Sequence, residues 1–325
     1  MAIHQDDGGR VRGALDAGSE DSDEKESWSD TTVDSLDELP WLRGGRFVFR
    51  SRTTVERLQE YLMVNSESSM EDIAHFMTRT WRLPLPKVVV SVISSVNYFV
   101  VPNESWVEDL QYGILQSARL TNMYILTDGL NYGAARIIGE AVAQEKLRHR
   151  LGGLEEQEFD SREVGHITAI GVVSSDKLSY GQAIEEASGT KDENKILVLE
   201  NIGDEKRELN PHHSHSIIMS CAGLTDKDAV QNILFNLEIR LPELLHSQHR
   251  ERKATKGDSA LVPNSLTDLR MNMRTPVVGL MLQGGPAEIE RVLWLLKKQV
   301  PVIVITRQAA ASGLLAYAFK EYNRG

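Results

Sequence analysis

The 325-residue chain has a single cysteine, Cys221, so no intramolecular disulfide can form, and such usage fits a reducing compartment. It has no apolar run near the ~20 residues that a membrane-spanning helix needs. Its longest runs, VVVSVI and VPVIVI, are of strand length. The opening residues MAIHQDDGGRVRG lack the hydrophobic stretch of a secretory signal. These absences predict a soluble, cytoplasmic chain with no direct membrane insertion. Positive charge is also scarce: 36 Lys and Arg face 47 Asp and Glu, a net charge of −11, which argues against nucleic-acid binding. Neither GxGxxG, nor GxxxxGK[ST], nor a GxSxG elbow occurs.

The charge that is present is unevenly placed. Residues 1–40 hold twelve carboxylates against Arg10, Arg12 and Lys25, a net −9 that leaves the remainder near neutral. With SEDSDEKESWSD at its centre and no apolar periodicity, the segment 1–42 reads as a disordered acidic leader. The folded unit is expected over 43–325, with a polar, mobile loop at about 247–273.

Within that unit, strand-like runs alternate with helical periodicity. GRFVFR and YLMVN read as short strands, then KVVVSVI, MYILT, HITAIGVV, KILVLE, SIIMSC, TPVVGLML and VPVIVIT. Helices are expected near 104–119, 133–148, 227–246 (with Pro242 as a kink or break), 287–298 and 312–322. Another follows Ser69, a candidate N-cap, with Ile73, Phe76, Met77 and Trp81 on one face. Such alternation predicts an α/β fold, a Rossmann-like, mainly parallel sheet with helices on both faces.

Ligands of such folds sit beyond the carboxyl ends of the strands. Four loops leave those ends. One begins with Ser94 and Ser95. Another runs from Thr127 through Asp128 and Gly129 to Gly133. The third contains Gln283, Gly284 and Gly285, and the fourth runs from Arg307 to Gly313. Glycine permits close backbone approach to a phosphate, and a following helix dipole favours the charge, whereas Asp128 opposes it. Gly in a βα turn also serves turn geometry alone. His212, His213 and His215 offer a metal reading, with His213 and His215 on one strand face, against a reading as core or capping residues. Cys221 has no catalytic context, and Glu288 and Glu290 read as a solvated helix face. No catalytic constellation is evident.

Five collinear segments carry a family resemblance: MTRTWRLPLPKVVVSVISSVNYF, ARLTNMYILTDGLNYGAARIIGEAV, NPHHSHSIIM, LEIRLPELLHSQ and TPVVGLMLQGGP. Together, from about residue 45 to 322, they resemble the cytosolic N-terminal region of TRPM (melastatin-type transient receptor potential) cation channels. The resemblance implies a SLOG-type domain, whose relatives bind nucleotides, ADP-ribose or related ligands. It also implies a part in assembling and regulating a Ca²⁺-permeable channel, with homo-oligomeric, tetrameric subunits as partners.

The same resemblance marks a candidate ligand set: Ser94, Ser95, Thr127, Gly129, Gly133, Arg240, Gly284 and Gly285. Several of its positions depart from the family pattern. Ser94 and Ser95 replace Gly-Gly, Asp128 stands where a Gly is expected, and Cys221–Leu224 replaces an Asp-rich turn. The last loop, 308–312, has lost its glycines, and Glu238 occupies a basic position while Arg240 is retained. Added Cβ atoms and lost cations both weaken anion binding, which predicts a degenerate nucleotide pocket. SLOG-type phosphoribohydrolases carry a Glu where this chain has Arg291, so no enzyme is expected. The alternatives are a stand-alone SLOG protein binding an ADP-ribose-like nucleotide and a nucleotide-hydrolysing enzyme.

Overall fold

A strand buried on both faces reads as an unbroken apolar run, and MYILT does so: every residue of β4 (Met123–Thr127) is buried. The computed structural model describes residues 42–50, 57–65, 68–119, 121–152, 167–188, 196–200, 205–220, 233–245, 247, 275–306 and 310–324. The expected leader (beyond Leu42) and the expected loop at 247–273 (beyond Ser247) lie outside the described residues, as do Cys221 and Gln308.

The chain alternates as expected. β1 (Arg43–Arg50) and β2 (Arg57–Val64) form a hairpin, followed by α1 (Met70–Arg79), β3 (Val88–Ile93), α2 (Glu104–Arg119) and β4. Then come α3 (Gly133–Gly152), β5 (Ile167–Ser174), α4 (Gly181–Ser188), β6 (Ile196–Glu200) and β7 (His215–Met219). A helix α5 (233–245) precedes β8 (Val277–Leu282), α6 (Pro286–Lys297), β9 (Val302–Ile305) and α7 (Ala311–Tyr322). α5 runs without interruption past Pro242, so that proline does not break it.

The nine strands form one sheet in the order β6-β1-β2-β7-β5-β4-β3-β8-β9. All neighbours are parallel except β1 and β2. Side chains alternate between the two faces. Tyr124, Leu126, Ile170 and Ile217 pack with α1 and α5 on the first face, where Ile93 and Met281 meet α6. Met123, Ile125 and Leu280 pack with α2 and α3 on the second, where Ile218 and Val173 meet Ile184 of α4.

The local signals have visible causes. The Ser69 hydroxyl accepts the Asp72 N–H at 3.1 Å and starts α1. Ile73, Phe76 and Met77 are buried, and Trp81, just beyond the last turn, packs edge-on against Phe76 at 5.6 Å between ring centres.

Leu126 is 1% exposed at the centre of the sheet, whereas Leu293 on α6 is 52% exposed. Leu126→Ala is expected to cost about 2–5 kcal/mol and Leu293→Ala no more than about 0.5 kcal/mol, read from urea-unfolding midpoints.

Candidate functional site

The parallel register of β5, β4, β3 and β8 brings two glycine turns and the Ser94–Ser95 loop to one edge. Thr127 ends β4, and its hydroxyl oxygen accepts the Gly129 N–H at 3.0 Å and lies 2.8 Å from His213 Nε2. The Asp128 carboxylate accepts the Leu130 N–H at 3.2 Å. Gly129 is left-handed (φ 71°), and a Cβ there would stand 2.9 Å from Gly171 Cα on β5. Glycine is therefore required twice over at this turn, for its dihedral and for the close approach to β5. The turn is then tied to the segment before β7: Asn131 N–H donates to Glu208 O and Asn210 N–H to Gly129 O, both at 2.8 Å.

The turn after β8 is filled from within. Gly285 N–H donates to the Glu288 carboxylate at 2.6 Å, so a side chain of the first turn caps the start of α6. The next helix start is closed in the same way, since Ala311 and Ser312 N–H groups donate to the carbonyls of Gly284 and Gln283. Gln283 (φ 60°) extends its amide to residue 100, accepting the Val100 N–H at 2.7 Å and donating to Val100 O at 2.8 Å.

Ser94 and Ser95 are half-buried at the start of the loop that makes this contact. Further along it, Tyr98 lies over Gly285, where a Cβ would meet the ring at 2.5 Å, and buried Phe99 lies over Gly133 at 3.2 Å. Six of the eight expected ligand positions other than Arg240 and Thr127 thus lie along these loops, and Thr127 ends the strand that feeds one of them. The glycine faces meet the chain's own rings and backbone. Arg240 is engaged elsewhere: its guanidinium pairs with Glu71 on α1 at 2.7 Å, with both side chains about half exposed.

The three histidines do not converge. His213 faces Thr127, and its burial holds the imidazole down to about 3, so the ring is neutral at physiological pH. His215 packs on Trp81 at 4.5 Å and lies 3.7 Å from Glu60, while His212 N–H donates to the Asn210 side chain. Among the described residues, no group of three His, Cys, Asp or Glu side chains could hold a metal ion.

One cluster escaped sequence reasoning. Arg291 on α6 donates to Ser91 Oγ at 2.8 Å and pairs with Glu238 on α5, and the Ser91 hydroxyl donates to that carboxylate. Ser91 and Glu238 are fully buried, and Glu238 Oε2 and Arg291 Nε lack partners. Glu238 and Arg291 are individually visible as departures from the family pattern, but their pairing is not. The available signal was the lone serine inside VVVSVI. Asp128 lies near this cluster. Burial pushes its carboxyl up to about 6, and Glu288 adds to the rise while the Leu130 N–H, Lys177 and Arg291 oppose it.

A mainly parallel α/β sheet whose carboxyl edge gathers glycine turns at helix starts defines the class as Rossmann-like. The family model described as "SLOG in TRPM" matches residues 59–325, and the chain belongs to that family. It is 26% identical over 263 residues to human transient receptor potential cation channel subfamily M member 6, covering 80% of this chain and 11% of that protein. Against subfamily M member-like 2 of Nematostella vectensis the identity is 26% over 266 residues, covering 80% of this chain and 15% of the relative. Human subfamily M member 7 shares 26% over 287 residues, covering 87% and 13%. The chain therefore spans a small fraction of the length of these relatives. No helix among the described residues is long and apolar enough to cross a membrane.

Because the folded Asp128 carboxyl titrates above its ordinary 3.8, the stability it permits at low pH is lost as pH rises through about 6. Asp128→Asn should therefore match the parent at pH 4 and exceed it at pH 7.5 by about 2 kcal/mol, discounted for partial exposure, in urea titrations at both pH values. Arg291→Met alone should cost about 3–5 kcal/mol by stranding a buried carboxylate. Adding Glu238→Gln should recover most of that loss, measured by the same denaturation.

Proposed function

We propose that this SLOG domain serves in the assembly and regulation of a TRPM-type, Ca²⁺-permeable cation channel, and that its glycine turns hold one another instead of a nucleotide. A phosphate at a helix start needs free N–H donors and a glycine face open to close approach. Here the donors of Gly129, Asn131, Gly285, Ala311 and Ser312 all end on acceptors of the chain itself. Tyr98 and Phe99 take the space over Gly285 and Gly133. That internal satisfaction is the observation that carries the reading. The relatives bear the names of cation channels, and the domain's place on this reading is the cytosolic side of the membrane, within homo-oligomeric subunits.

Nucleotide hydrolysis is not part of the proposed role. The position that the resemblance assigns to a catalytic Glu holds Arg291, and that guanidinium is committed to Glu238. The scaffold is retained while the ligand chemistry is reduced.

The reading is tested by two measurements. Isothermal calorimetry with ADP-ribose to millimolar concentration is expected to give no saturable heat. Binding that disappears in Gly284→Val would instead establish the nucleotide-binding alternative. Co-expression with a tagged, full-length TRPM-type subunit is expected to capture the chain, and failure of capture would remove the assembly role.

A further inference from the structure

Layered α/β folds bury each sheet face beneath helices, yet one strip of the second face has no helix among the described residues. Beside α2, the strands β3, β8 and β9 floor a groove of about 560 Å³ with Val92, Leu280, Ile303 and Ile305. Ile303 is 54% exposed. The wall is unusual too. Gly113 sits in the middle of α2, and a Cβ there would meet nothing within 4 Å. A mid-helix glycine costs roughly 0.5–1 kcal/mol relative to Ala, and no contact among the described residues requires it. One turn on, Ser117 also lines the groove. Small residues four apart on one helix face let a second helix approach closely.

The same chain carries a helix that fits. α7 buries Ala311 and packs Leu315 on the first face with Ile93 and Met281, leaving Leu314 and Tyr317 on an outer stripe, 60% and 64% exposed. Phe319 and Tyr322 are exposed on its last turns. Because α7 is fastened to the first face, its stripe cannot reach the groove on the second face of its own sheet. Only the α7 of another molecule can. Its 12 residues make a rod about 18 Å long, which fits alongside the roughly 24 Å of α2.

We propose that the groove between α2 and the open β8–β9 face receives α7 of a second copy of this chain. The helices run antiparallel, with Tyr317 over Gly113 and Gly313 beside Ser117. This direction carries the exposed Lys320 of one copy towards Asp109, the acidic residue lining the groove of the other. The groove and the stripe are different surfaces, so the contact is heterologous and each copy keeps a free groove or stripe until a ring closes. This proposal rests on the assembly reading and names a self-contact within it.

Sedimentation velocity of the 325-residue chain between 1 and about 200 µM tests it, with thermal melts to confirm folding. The parent chain is expected to associate with rising concentration. Gly113→Trp, which projects into open space, should melt like the parent yet remain monomeric, as should Tyr317→Asp. An equimolar mixture of the two variants should form a heterodimer, because one groove and one stripe remain intact. A monomeric parent, an associating Gly113→Trp variant, or a mixture that stays monomeric would each overturn the proposal. Association of the parent that Gly113→Trp leaves unchanged, with capture by the channel subunit intact, would remove this surface and spare the assembly role. Loss of capture with the heterodimer intact would remove the assembly role and spare the surface.

Discussion

Every buried backbone N–H needs an acceptor, and at the carboxyl edge of this sheet the N–H groups of Gly129, Asn131, Gly285, Ala311 and Ser312 each find one within the chain. Parallel strands deliver several helix starts to one edge, each with unsatisfied donors. A ligand phosphate is one solution to that concentration of positive dipole ends. In this chain such donors reach the Glu288 carboxylate at α6, the Gly284 and Gln283 carbonyls at α7, and the Glu208 carbonyl before α3. The loop after β3 is held down as a result, since Gln283 pairs with residue 100 in both directions and sets Tyr98 and Phe99 over two glycines.

The Ser91–Glu238–Arg291 cluster imposes a second constraint, tying β3, α5 and α6 together on the first face. Buried ion pairs gain little net stability because desolvation offsets their attraction, but removing one partner is costly. The cluster therefore constrains how the two helices sit more than it strengthens the fold. Phe235 stacked on Trp294 at 4.1 Å joins the same two helices by a route independent of charge.

Much of the fold was legible along the chain. Parallel strands need β-branched runs, and MYILT is bounded as its run suggests. The hydrophobic period of 3.6 located α1, α2 and α6 to within a residue or two. Family resemblance located the loops but could not say what fills them. Gly129 reads equally well as a phosphate contact and as a turn residue. The structure adds the turn reason: Gly171, forty-two positions away, has its Cα 2.9 Å from where a Cβ on residue 129 would stand. The histidine cluster failed for a related reason, because strand alternation does not extend to His213, which precedes β7 and turns towards Thr127.

What the sequence alone determined was the α/β alternation and the SLOG family of TRPM proteins, because both reside in local periodicity and in short collinear motifs. The tertiary structure decided which residues the glycine turns meet and that Glu238 meets Arg291. It also decided that one strip of the second face has no helix among the described residues while α7 leaves an apolar stripe outside. Each of these depends on contacts between residues far apart in the chain, which only the crossing of strands and helices brings within a few ångströms.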